Sequence, residues 1–205
     1  MGYDDNTNTN RSRFAGFNRP LLVLLLLVIV GLGGISLGRY WFKSSQVDNW
    51  GPILELASFT ENEVRVIIRL EREPDGSIYL SGEFTPNEEG FHLYSKDLPP
   101  QGIDGLGRPT RLDLTPQSKM TSKGDLLDNT PAVQQTLSKN VPALPIYPAG
   151  AVILRLAVEM PLCDQPQTED QVSVSYMACS PRGCRKPVLG KIVSVLIPCS
   201  KAMRR

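Results

Sequence analysis

The chain has 205 residues, a formal charge of +1 and a 41% hydrophobic share. That composition is globular and leaves room for one or two domains. Without a charge bias, or basic residues interleaved with aromatics, it excludes the nucleic-acid binders, so no nucleic-acid partner is expected.

Residues 1–19 are polar and Asn-rich and read as a short disordered cytoplasmic tail. Leu21 to Leu37 then runs without a charge, and Tyr40, Trp41 and Phe42 follow. A spanning helix needs about 20 apolar residues, and aromatic residues favour the membrane–water boundary. Residues 20–42 are therefore expected to form a single transmembrane helix in the lipid bilayer. Arg11, Arg13 and Arg19 precede the run, whereas Arg39 and Lys43 follow it, which puts the N-terminus in the cytoplasm. A cleaved signal peptide is the other reading, with Leu21–Val30 as its core and small residues at Ser36 and Gly38. Both readings export the rest, residues 48–205, as a β domain. The exported part is near neutral, at about −2, and gives no hint of an anionic partner.

In that part Glu63–Leu70 is rich in β-branched residues, and Pro74-Asp75-Gly76 signals a turn into Ser77–Phe84. Together they predict a hairpin. Further strands are expected at Phe91–Tyr94, Arg111–Leu114, Ala151–Met160, Gln171–Met177 and Lys191–Ile197. Short strands separated by Gly/Pro turns point to an all-β sandwich and not to alternating βαβ units. Residues 115–150 are rich in Pro, Ser, Lys and Asn and read as an insertion over one end of the sandwich. Within it, Thr130 as N-cap and Pro131 in the first turn predict a short helix over Pro131–Lys139.

All four cysteines, Cys163, Cys179, Cys184 and Cys199, follow the apolar run, where an exported compartment permits disulfides. Cys179 and Cys184 flank Ser-Pro-Arg-Gly, with Pro and Gly at positions that suit a type I turn. They therefore sit across a hairpin tip, where facing residues lie within disulfide range. The spacing alone leaves three readings open: a structural staple, a redox pair, or half of a metal site. Loop length separates the two cysteine pairs. A bridge between 179 and 184 would stabilise by about 2 kcal/mol, and one between 163 and 199 by about 4 kcal/mol. Cys163–Cys199 is thus expected as a structural disulfide, with free thiols or a second redox pair as the alternatives. Arg182, Arg185 and Lys186 crowd the inner tip, and nearby cations favour the thiolate. No metal and no cofactor is expected.

Val172–Cys179, then Gly183-Cys184 and Pro187, resembles the active-site hairpin of the N-terminal domain of the thiol:disulfide interchange protein DsbD. Phe91-His92-Leu93-Tyr94 and Gly105-Leu106-Gly107-Arg108-Pro109-Thr110 are similar to that family's aromatic-His-x-Tyr strand and Gly-Leu-Pro-Thr loop. The resemblance spans Glu61 to Pro198. It implies an immunoglobulin-like β-sandwich in the periplasm or an equivalent lumen, with Cys179 and Cys184 as the exchanging pair. It also implies electron transfer to exported thioredoxin-like or other thiol proteins. The tip is one residue shorter than that family's, and Cys163 and Cys199 bracket it. The electron donor is expected in the membrane on a separate chain. The competing expectation is a non-catalytic binding or assembly module braced by its disulfides, with residues 115–150 as its partner surface.

Tyr94 and Tyr176 are candidates for shielding the cysteine tip, although aromatics in strands are usually packing residues. His92 is the only histidine. Cysteine–histidine chemistry is conceivable, yet a lone histidine on a strand is ordinarily structural. Glu88-Glu89 reads as a solvated bend. Gly102, Gly105 and Gly107 lack the helix pattern that a nucleotide loop requires.

Overall fold

The computed structural model describes residues 50–136 and 142–200. The expected tail and apolar span, residues 1–42, lie outside the described residues. Among the described residues no helix is long and apolar enough to cross a membrane.

The described part is all-β. Its strands in chain order are β1 (Ile53–Glu61), β2 (Val64–Arg72), β3 (Ile78–Pro86), β4 (His92–Leu93), β5 (Arg111–Leu114), β6 (Thr121–Ser122) and β7 (Leu127–Asp128). There follow β8 (Val133–Gln135), β9 (Leu144–Ile146), β10 (Val152–Glu159), β11 (Gln167–Tyr176), β12 (Ala178–Ser180), β13 (Gly183–Cys184) and β14 (Val188–Pro198). One sheet runs β1-β2-β3-β10-β6, with β7 also on β10; a second runs β14-β11-β5. All these pairings are antiparallel.

The two sheets face each other over a common core because each alternates apolar and polar residues with the pleat. Val64, Val66, Ile68 and Leu70 of β2 and Leu154 and Leu156 of β10 point inward from the first sheet. Val172, Val174 and Tyr176 of β11 and Val193, Val195 and Ile197 of β14 answer from the second. At Gly82 the layers approach so closely that a Cβ would lie 3.0 Å from the Phe84 ring and 3.2 Å from Leu112.

The hairpin expected around Pro74-Asp75-Gly76 is β2–β3. Gly76 at φ +89° and an Asp75 carboxylate accepting from the Ser77 N–H shape its turn. Strand β1 is not among the predicted strands. A bulge between Glu55 and Ala57 breaks its alternation, and its burial is only partial throughout, so the sequence shows no clean period of two. The helix expected over Pro131–Lys139 is a correction. Residues 133–135 form β8, which pairs with β9, and 137–141 lie outside the described residues. Val133, Gln134 and Gln135 are all exposed, so this stretch has no apolar stripe to bury as a helix, while β9 supplies ladder hydrogen bonds.

Two short sheets complete the part, β8-β9 and β13-β12-β4. Elsewhere in residues 115–150, β6 and β7 lie along β10. The turn before β6 is held by the buried Asp170 of β11, whose carboxylate accepts from Ser118 Oγ and from the Lys119 and Met120 amides.

Candidate redox site

The site is the three-stranded sheet β13-β12-β4. Cys184 faces Cys179, and Cys179 faces His92, in one row across it. Strand β11 delivers the row by running into β12 through Met177. Ala178 then faces the main core while Cys179, one residue on, faces a smaller cluster of Tyr94, Leu98, Leu144 and Ile146. The segment 91–94 around β4 splits in the same way. Phe91 and Leu93 belong to the main core, and His92 and Tyr94 to the opposite face.

Cys179 and Cys184 are joined by a disulfide with Cα atoms 4.0 Å apart. Ser180 pairs with Gly183, leaving Pro181 and Arg182 as the loop. The Ser180 hydroxyl closes that loop by accepting from the Arg182 amide and donating to the Gly183 carbonyl. Gly183 stands at φ +138°, which a side chain rarely adopts, although space is open around it. The two sulfurs differ in access: Cys179 is 2% exposed, whereas Cys184 is exposed at the tip.

Tyr94 lies beneath the bridge. Its hydroxyl donates to Cys179 Sγ at 3.2 Å. Burial pushes its ionisation up, so it stays a donor. The loop resembling the family's Gly-Leu-Pro-Thr holds it there. Thr110 donates to the Tyr94 carbonyl through both hydroxyl and amide. A Cβ on Gly107 would lie 2.9 Å from the Tyr94 ring, so glycine is required by contact as well as by its φ of +75°. The Arg108 guanidinium donates to the carbonyls of Gln101, Gly105 and Gly107 and closes the loop.

Tyr176 goes elsewhere. It packs edge-on against Phe84 at 5.8 Å in the main core and donates to the Glu61 carbonyl. Because it sits at the inward-facing end of β11, it cannot also cover the tip. Of the three cations, Arg185 leaves the tip to pair with Glu88 at 2.6 Å and to lie over the Phe91 ring at 5.0 Å. Arg182 and Lys186 are exposed on the hairpin. The loop of Glu88 to Phe91 and the hairpin thus form the walls of an open groove beside Cys184. The ion pair of Glu88 is what the reading of a plain solvated bend did not contain.

His92 is 8% exposed, its ring edge-on to Tyr94 at 5.5 Å, and its Nε2 finds no hydrogen-bond partner among the described residues. Burial pulls its protonation down. Its place in register with Cys179 is the feature that sequence reasoning missed. The alternation Phe91-His92-Leu93-Tyr94 was the available signal, since it sets His92 and Tyr94 on one face.

Cys163 and Cys199 form the second disulfide, with Cα atoms 5.6 Å apart. Backbone bonds surround it: Cys163 N–H to Ser200 O, Ser200 N–H to Pro161 O and Cys199 N–H to Pro166 O. Among the described residues no group of three or more His, Cys, Asp or Glu is placed to hold a metal ion.

No family description matches this chain, and no curated protein matches it by sequence. Solved structures similar to it include the following two. One is the N-terminal periplasmic domain of ScsB from Proteus mirabilis, at 10% identity and a TM-score of 0.42, covering 73% of this chain and 52% of that one. The chain thus spans about half the length of that structure. The other is the reduced form of the N-terminal domain of Neisseria meningitidis DsbD, at 12% identity and a TM-score of 0.37, covering 77% of this chain and 95% of that one.

Proposed function

We propose that this chain is an exported, membrane-anchored thiol–disulfide interchange protein with an immunoglobulin-like sandwich, working through Cys179 and Cys184 in the periplasm or an equivalent lumen. The observation that carries the reading is the asymmetry of the bridge: one sulfur exposed on a short hairpin, the other buried under a tyrosine hydroxyl. Exchange requires an attacking thiolate to reach one sulfur in line while the other leaves. Cys184 is the reachable sulfur. A thiolate of a membrane donor attacks Cys184 Sγ, the bond to Cys179 breaks, and its electron pair stays on Cys179. The Tyr94 hydroxyl stabilises that leaving thiolate by a charge-assisted hydrogen bond. The donor's second thiol then releases Cys184 by attacking the mixed disulfide. In the forward half, Cys184 attacks a thioredoxin-like partner's disulfide and Cys179 resolves the adduct.

Single-cysteine variants test the reading. Cys179→Ser is expected to trap partners as mixed disulfides through Cys184, and Cys184→Ser to trap none. The reduction potential separates this reading from a braced binding module, which the exposed Leu189, Ile192 and Leu196 of β14 would suit. A value near or above about −200 mV supports exchange, and one below about −300 mV supports a brace.

A further inference from the structure

Opening the inner bridge creates an electrostatic problem at a specific atom. Cys179 Sγ is enclosed, so the charge it acquires on leaving is not solvated by water. Tyr94 provides one hydrogen bond and keeps its own proton. Holding the sulfur as a thiolate takes a second group that can neutralise it.

His92 is placed to be that group. Residues directly opposed in an antiparallel pair project from the same face with their Cβ atoms about 5 Å apart. His92 opposes Cys179 on β12, on the side away from Cys184. Tyr94, two residues along and therefore on the same face, reaches Cys179 Sγ, which confirms the direction of the row. The Nε2 atom is buried and unpartnered in the bridged state. A buried polar atom left unpaired calls for a physical explanation, and an atom that gains its partner only when the sulfur becomes charged supplies one.

We propose that His92 takes up the proton that accompanies opening of the Cys179–Cys184 bridge, so that the buried sulfur is held as a thiolate beside an imidazolium. The inference rests on the exchange reading for the nature of the donor, a dithiol. The balance is complete. The donor dithiol loses two electrons and two protons and becomes a disulfide. Cys179 and Cys184 receive the two electrons. One proton goes to Cys184, which ends as a thiol, and the other to His92. Reoxidation by a partner disulfide returns both protons.

The groups around His92 leave it free to respond to the sulfur. Cys179 faces it from β12 and Tyr94 from two residues along the chain; the neighbouring loop and hairpin carry Glu88, Glu89, Arg182 and Arg185, of which Glu88 and Arg185 neutralise each other. Burial, and not a nearby charge, sets its protonation in the bridged state, where it is neutral at pH 7. A thiolate arriving beside it reverses that preference.

With a single histidine in the full chain, the imidazole Cε1–H resonance needs no assignment. It is to be titrated with pH in the bridged chain and in the chain opened with dithiothreitol. The expected result is a rise of about one to three pKa units on opening. In Cys179→Ala the reductant should produce no rise, whereas in Cys184→Ala, which leaves the buried Cys179 sulfur unbridged, the raised value should persist. Equal titration in both redox states, or a rise that survives Cys179→Ala, overturns the proposal. Trapping of partners by Cys179→Ser is read separately, so loss of the exchange reading and loss of the proton-uptake role are distinguishable.

Discussion

The molecule contains the same covalent bond in two settings. Cys163–Cys199 joins positions 36 apart and lies among backbone hydrogen bonds that hold both strand ends. Cys179–Cys184 joins positions 5 apart on a hairpin that a two-residue loop would keep closed anyway, with one sulfur in solvent. The first can restrict the unfolded chain much more than the second. The second offers an attacking thiol an exposed cysteine, whereas the first has Cys199 buried and Cys163 only partly exposed. A bridge that contributes little to folding can open without unfolding its host, and that is the property an exchanging pair needs.

The largest effect that could break this contrast is on stability. Cys163→Ala with Cys199→Ala is expected to lose about 4 kcal/mol in urea unfolding, and Cys179→Ala with Cys184→Ala about 2 kcal/mol. Equal losses would mean that the bridges do not differ in kind.

Next in size is Tyr94→Phe. A hydrogen bond to a charged group contributes about 1.5–3 kcal/mol, so removing the hydroxyl should raise the Cys179 thiolate pKa by about one to two units. Absorbance of the reduced chain at 240 nm against pH reads this. An unchanged titration would remove Tyr94 from the chemistry and leave it a packing residue.

The pH dependence of stability sharpens the comparison further. In the bridged chain burial holds His92 below its ordinary value of 6.5. The unfolded chain then binds the proton more readily than the folded one, so stability should fall as pH drops below about 6.5 and flatten below the folded-state pKa. Unfolding of His92→Phe at the same pH values should lack this slope; if it keeps it, another group is responsible.

The smallest effect is at the groove. Arg185 and Glu88 are both partly solvated, so Arg185→Ala should change stability by less than about 1 kcal/mol. Its effect on the rate of reduction by glutathione would show whether the cation acts on Cys184 or only anchors the loop.

Much of the fold is legible in the sequence. Residues 63–84 carry their hairpin in plain form because β-branched alternation and Pro-Asp-Gly act locally. The tip at Ser180–Gly183 is equally local. Strand β1 was hidden by its bulge, and β8 by a proline and a cap residue that suit a helix start equally well. The salt bridge of Glu88 with Arg185 spans 97 positions, and no local pattern announces it.

From sequence alone came the paired cysteines, their loop lengths and the hairpin of residues 63–84, since alternation and turn chemistry depend on neighbours in the chain. Which sulfur meets solvent, and that Tyr94 and His92 meet Cys179 from 85 positions or more away, only tertiary structure decided. Strand pairing is a non-local choice, settled by which buried faces fit together, and it is that choice which turns two cysteines into a site.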